Sequence, residues 1–279
     1  MVPVKTEYDI EAGHKERKIA LLADLHNEKG EKVLEIIKKE APDLILIAGD
    51  MVDGNHVDWS GYTLIDKNVT DFLTECARMA PTYYSMGNHE WFLRRNEFDR
   101  VALTGAIVLD NSYARIDEDL VVGGLTSATV MTRRAWEKDH PDWSWQNISF
   151  HRIGNLKKRP KEDQNTYLNE TLDTSWIEAY EAEKGTKILL CHHPEYWALK
   201  GPTLKERAID LTLSGHAHGG QWRIFGKSIF APGQGIFPKY AGGKYEEEGR
   251  LLIVSRGLSN TVKVPRLWNP PEVVIINLH

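Results

Sequence analysis

The sequence predicts an α/β layer architecture, and two observations carry that expectation. Short continuous apolar runs alternate with amphipathic helical stripes through the first half of the chain. Polar residues able to bind metal gather just after those runs, where open α/β sheets place their ligands.

Ile19 to Ala23 is an apolar run of strand length; Val33, Leu34, Ile36 and Ile37 follow at helical spacing, and a second run spans Leu44 to Ala48. These three read as a βαβ unit. Ile65, Val69, Phe72, Leu73, Cys76 and Ala80 form the next helical stripe, closed by Pro81, and Tyr83 to Met86 reads as the third strand. A helix near Glu97 to Leu103 and a strand from Ala106 to Leu109 follow. From Tyr113 hairpins take over: Tyr113 to Ile116 and Leu120 to Val122 flank the turn Asp117-Glu118-Asp119, and Gly123-Gly124 reads as the end of the second strand. Residues 127 to 170 are the least regular stretch and read as a loop-rich surface excursion carrying Trp136, Trp143, Trp145 and Lys157-Lys158-Arg159. A helix near Leu172 to Glu183, a strand from Lys187 to Cys191, a short helix near Leu204 to Ala208 and a strand from Ile209 to Leu213 come next. Strands near Ser228 to Ala231, Leu251 to Val254 and Val273 to Leu278 are expected to complete a second, more antiparallel sheet. Residues 1–279 are read as one domain, and as a monomer.

Composition narrows the function. With 41% hydrophobic and 27% charged residues the chain is an ordinary globular sequence, which excludes a disordered or collagen-like protein. The 35 basic against 40 acidic residues leave a net charge of −5, too mild for a protein that wraps duplex nucleic acid, and no such partner is expected. Cys76 and Cys191 both lie in segments that read as core, so they are expected as buried free thiols. No apolar run reaches the roughly 18 residues of a membrane helix. The chain as given therefore reads as cytoplasmic, and an anchor ahead of Met1 would make it membrane-associated.

Five segments bring ligand-type residues to one sheet edge. Asp24 and His26 follow the first strand, Asp50 and Asp53 the second, and Asn88 and His89 the third; His192, then His216 and His218, follow two later ones. Carboxylate, imidazole and amide oxygen together suit two borderline divalent ions, because one carboxylate can bridge both while neutral imidazoles fill the remaining positions. Asp24-x-His26 and His216-x-His218 are expected to place two donors on the same side of one extended stretch. Gly49-Asp50, Gly87-Asn88 and Gly215-His216 are expected to turn the backbone sharply beneath the ions.

In this order, Asp24-x-His26, Gly49-Asp50-x-x-Asp53, Gly87-Asn88-His89-Glu90, His192 and Gly215-His216-x-His218 resemble the signature of calcineurin-like metallophosphoesterases. The continuations His218-Gly219-Gly220-Gln221 and Val254-Ser255-Arg256-Gly257-Leu258 are similar to its YkuE-type bacterial branch, which includes membrane-associated phosphodiesterases and lipid-related hydrolases. The resemblance implies a four-layer α/β/β/α sandwich of two mixed sheets flanked by helices. It implies one ion on Asp24, His26, Asp50 and His218, and another on Asp50, Asn88, His192 and His216. His89 would face the scissile phosphate without binding metal, and Asp53 would hold its other ring nitrogen. Manganese, iron and zinc all suit such a donor set. Protein serine/threonine phosphatases of this superfamily carry an Arg where this chain has Gly54, which argues against a phosphoprotein substrate.

The remaining histidines read as surface or structural, His193 as a supporting residue rather than a ligand, and Asp210 as a cap or buried structural acid. The resulting expectation is a metal-dependent phosphoesterase, a phosphodiesterase by preference, that attacks phosphorus in line with a hydroxide held by two metals. Its substrate is expected to be a small-molecule or lipid-related phosphoester, with room for peripheral membrane contact. A nucleotide or nucleic-acid phosphoesterase, or a non-catalytic scaffold that has kept the fold, remains as an alternative.

Overall fold

The computed structural model describes the chain except residues 12–14, 54–64, 94, 140–171 and 260–264. Two six-stranded mixed sheets stack face to face. The first contains β1 (Val4–Ile10), β2 (Arg17–Leu22), β3 (Leu44–Ile47), β4 (Thr82–Tyr84), β5 (Ile107–Val108) and β16 (Glu272–Leu278), in the order β1-β16-β2-β3-β4-β5. Only the β16–β2 pairing is antiparallel. The second contains β6 (Ser112–Arg115), β7 (Leu120–Leu125), β8 (Thr186–Cys191), β9 (Leu211–Ser214), β14 (Gly243–Glu247) and β15 (Arg250–Val254), in the order β14-β15-β9-β8-β7-β6.

Side-chain alternation builds the layers. Ile19, Leu21, Leu44 and Leu46 of the first sheet meet Leu120, Val122, Ile188, Leu190, Leu211 and Leu213 of the second, and all are buried. Their neighbours Ala20, Leu22, Ile45 and Ile47 point the other way, onto α1 (Glu31–Glu40) and α2 (Lys67–Met79) through Val33, Ile37, Val69, Phe72, Leu73 and Cys76. α3 (Arg95–Leu103) adds Val101 to this layer. Val121, Leu189, Cys191, Leu252 and Val254 face the opposite outside, covered by α5 (Ile177–Glu181) and α6 (Glu195–Ala198). The four expected layers are present, and Cys76 and Cys191 are buried and free.

Several local expectations need correction. β1 and β14 escape a search for apolar runs because both are edge strands whose residues alternate between exposed and half-buried. Val273 to Leu278 does not complete the second sheet but forms β16 of the first; three of the five pairings in the second sheet are parallel, yet its two antiparallel pairings against one make it the more antiparallel sheet, as expected. Ser228 to Ala231 does not join it; these residues are shared by two small hairpins, β10 (Arg223–Ile224) with β11 (Lys227–Ser228) and β12 (Phe230–Ala231) with β13 (Gly235–Ile236). The helix expected from Leu172 starts only at Ile177, because Asp173 accepts hydrogen bonds from the backbone and hydroxyl of Ser175 and turns the chain first. That near Leu204 is a single 3₁₀ turn, Leu204–Glu206. The supposed loop-rich excursion opens with α4 (Ala128–Asp139), and Trp143, Trp145 and Lys157 to Arg159 lie outside the described residues. Among the described residues, no helix is long and apolar enough to cross a membrane.

Gly123 and Gly124 do not end β7; they lie inside it. A Cβ on Gly124 would sit 2.5 Å from Leu109, and one on Gly123 would sit 3.0 Å from the Trp176 ring. The two sheets approach closely here because one side chain is missing. Gly124→Ala is expected to lower the urea-unfolding free energy by about 1–3 kcal/mol through overpacking; an unchanged midpoint would show that the sheets can separate at no cost.

Candidate metal centre

The strands of both sheets end at one edge, and the chain continues past them in hydrogen-bonded loops. Asp24 N donates to Gly49 O at 3.0 Å, His26 N to Asp50 O at 3.2 Å, and Gly215 N to His192 O at 3.1 Å. Asp24, His26, Asp50, His216 and His218 all have positive φ, between 47° and 65°. The expected extended Asp-x-His and His-x-His stretches are therefore absent. Each donor pair converges because the backbone curls into the left-handed region, which L residues visit at a cost and which clusters at functional sites.

The glycines also act differently from the expectation. Gly49, at φ 89°, makes a left-handed turn. Gly87 and Gly215 have ordinary backbone and supply space: a Cβ would lie 2.2 Å from Asp50 Oδ1 in the first case and 2.7 Å from Asp24 Oδ2 in the second.

Ligand atoms of Asp24, His26 and His218 lie within 4.8 Å of one another, as do those of His26, Asp50 and His89, and those of Asp50, His192 and His216. Asp50 is common to two groups, and it and Asp24 are almost fully buried. His192 Nε2 is 3.0 Å from Asp50 Oδ2 and 3.9 Å from Asp24 Oδ1. His89 turns Nε2 towards Asp50 Oδ2 at 3.9 Å and Nδ1 towards Asp53 Oδ1 at 3.7 Å, so the expected Asp53 partner faces that ring. His193 stays outside the three groups, its ring 4.3 Å from that of His216, and Asp210 is remote, accepting from Lys187 N and pairing with Arg250.

The donors fit metal. His26 Nδ1 meets Val52 O at 3.2 Å and His192 Nδ1 meets Ala48 O at 2.6 Å. A carbonyl only accepts, so each Nδ1 carries a proton and Nε2 is the nitrogen turned into the cluster, free to bind a cation once its own proton has left. His26 Nε2 and Asn88 Oδ1 are buried without a hydrogen-bond partner and His192 Nε2 faces only the Asp50 carboxylate, a state that polar groups rarely keep unless something else binds them. Burial opposes ionisation of Asp24 and Asp50, yet the surrounding imidazoles hold both carboxyls below the usual range. Burial likewise opposes a charge on His192, and the Asp50 and Asp24 carboxylates overcome it, raising the ring to about 10. Burial pushes His218 down to about 4, and burial with His193 and His192 holds His216 well below its ordinary value. The carboxylates thus demand positive charge while two imidazoles stay neutral, the form that binds metal. One contact opposes this pattern. Arg266 Nη2 lies 3.1 Å from His218 Nδ1 and can only donate, so ligation through His218 Nε2 requires Arg266 to rely on its bonds to Ser259 O and Arg256 O.

Sequence reasoning gave Glu90 no task, although it closes the Gly87 motif. Its buried carboxylate accepts from Asp50 N at 3.0 Å, Met51 N at 2.8 Å and Gly87 N at 2.7 Å, clamping two ligand-bearing loops together. Burial and the neighbouring Asp50 charge raise its pKa. Ser259, Arg266 and Asn269 were also missed; Ser259 Oγ donates to Asp24 O, and Asn269 Nδ2 to His218 O. Nothing local in the sequence marks these three, because tertiary folding alone brings them to the cluster.

The model of the calcineurin-like phosphoesterase family matches residues 17–220. This chain belongs to that family. It is a metal-dependent phosphoesterase, and its His/Asp cluster is consistent with a dimetal site. An uncharacterized metallophosphoesterase of Aquifex aeolicus is 28% identical over 273 residues, covering 94% of this chain and 85% of that protein. One from Campylobacter jejuni is 27% identical, covering 95% of this chain and 59% of the relative. Phosphodiesterase YaeI of Escherichia coli is 25% identical over 275 residues, covering 94% and 82%. A solved dimetal phosphatase from Danio rerio aligns at a TM-score of 0.41 and 12% identity, covering 86% of this chain and 87% of that one.

Glu90→Gln should cost about 1–3 kcal/mol of stability, because an amide turns a donor towards N–H groups that need an acceptor. It should also weaken metal retention. Urea denaturation and elemental analysis read the two effects, and a variant normal in both would deny Glu90 the clamping role.

Proposed function

We propose that this phosphoesterase is a phosphodiesterase of the YkuE-like kind, with Asp50 bridging two cations. Asp24, His26 and His218 complete one site, and Asn88, His192 and His216 the other. The observation that carries this reading is the buried Asp50 carboxylate, common to two of the three converging donor groups. Two cations held there would lower the pKa of water towards neutrality and neutralise charge on the phosphoryl oxygens.

The chain's own residues supply the rest. His89 is half-buried at the cluster, so its ring is reachable from outside while Asp53 faces Nδ1. It holds a proton at Nε2 for the leaving oxygen, with Asp53 orienting the ring. His89 N also donates to Asp50 Oδ1 at 2.8 Å, which ties the acid and the bridging carboxylate into one unit. A diester carries one negative charge and needs less cationic help than a monoester, in keeping with Gly54 in place of an arginine. The similarity to YaeI, a phosphodiesterase, supports the same choice.

Asp50→Asn should lower metal content at both sites together, whereas His89→Ala should keep metal and lose about 10²–10⁴ in kcat. Elemental analysis beside turnover separates the two, and one full site surviving in the Asp50 variant would end the bridging assignment. Chelation should abolish activity and added manganese restore it. With metal present, kcat/KM for bis(p-nitrophenyl) phosphate should exceed that for p-nitrophenyl phosphate; a monoester preference of about tenfold would return the protein to the phosphomonoesterases.

A further inference from the structure

The largest exposed apolar side chains of the described residues gather on one feature. Ile224 and Phe225 occupy the tip of the β10–β11 hairpin, and Phe230, Ile236 and Phe237 the adjacent β12–β13 hairpin. Trp222 of the first hairpin bridges to Leu267, whose neighbour Trp268 is 74% exposed. Phe237 N donates to Ile229 O and Arg223 N to Leu267 O, so the three segments form one surface. Soluble proteins rarely leave such a contiguous apolar surface without a partner.

Local folding does not explain these side chains. Phe225, Phe237 and Trp268 have φ of 49°, 53° and 49°, the left-handed region where glycine or asparagine is at ease and a bulky aromatic is strained. Packing gives nothing back, because Phe225 is fully exposed and Phe237 is 72% exposed. Three aromatics held outward against backbone preference point to contact with something beyond the chain.

We propose that this surface docks on an anionic lipid bilayer. The charge argues for a bilayer: residues 221–239, which contain both hairpins, include no acid and carry Arg223, Lys227 and Lys239, although the whole chain has a net charge of −5. Lys227 is exposed, while Lys239 is taken up by Glu247 at 2.7 Å. Aromatics for the interface with cations beside them are the composition of a membrane-surface contact. A second copy fits less well, because a two-fold contact through this surface would bring Arg223 and Lys227 of both copies into one interface with no acid from either hairpin to pair with them. The surface also adjoins the metal centre. Ser228 Oγ of β11 donates to Gly219 O, next to His218, and Asn269 beside Trp268 donates to His218 O. Docking would therefore bring the cluster to phosphodiesters carried by lipids, a consequence that rests on the phosphodiesterase reading, whereas docking itself does not.

Vesicle sedimentation with phosphatidylcholine alone and with phosphatidylcholine containing phosphatidylglycerol tests it on the full chain. Binding is expected to the anionic vesicles and to fall with added salt. Phe225→Asp with Phe237→Asp should require at least tenfold more lipid for half-binding, and Lys227→Ala about fivefold more. Both variants should keep wild-type hydrolysis of soluble bis(p-nitrophenyl) phosphate, which reports on the metal centre separately and shows that they are folded. No binding to anionic vesicles, or binding insensitive to both variants, overturns the proposal. A lipid-free dimer that the double variant converts to monomer overturns it in favour of a second copy.

Discussion

Two carboxylates buried side by side are the constraint on which the rest of this molecule depends. Asp24 and Asp50 are almost completely removed from solvent, and each charge would be prohibitive there without compensation. The imidazoles of His26, His192, His216 and His218 crowd round them, and the two rings held at Nδ1 by Val52 O and Ala48 O turn Nε2 inward. A cation is the partner such a set is built to receive.

Holding that cluster together requires departures from ordinary backbone and side-chain preference. Five ligand-type residues adopt positive φ, and Gly87 and Gly215 sit where any side chain would strike a carboxylate oxygen. The sandwich beneath supplies the rigidity for this strain, since β2, β3, β8 and β9 are buried on both faces and hydrogen bonds tie their ends together. Glu90 extends the same economy of charge: one buried carboxylate satisfies three backbone donors from two loops, so the loops cannot part without exposing an anion to an apolar core.

The outer rim contrasts with this interior. The segment that follows His218 leaves the second sheet and forms two short hairpins whose aromatic residues face solvent, while their polar backs bond to Gly219 O and to Tyr240. The candidate metal cluster and the aromatic rim are thus built on consecutive stretches of one chain, so that their positions are set together.

The sequence by itself determined the alternation of strand and helix, the four layers through its resemblance to a family, and the identity of the ligand-type residues. Apolar period and metal-binding side chains are local properties, legible in Ile19 to Ala23 or in Gly215-His216-x-His218 without a fold. Edge strands β1 and β14 are not legible because their pattern is mostly polar, and Gly124 reads as a stop although it lies inside β7, where its lack of a side chain makes room for Leu109. Only the tertiary structure decided how the donors converge, since positive φ at Asp24 and His216 is stabilised by neighbours distant in sequence rather than by the residues themselves. The same holds for Ser259, Arg266 and Asn269, whose roles come from contacts with Asp24 and His218 that no local pattern encodes. Local composition sets which chemistry is available, but long-range packing fixes the directions in which those few side chains point.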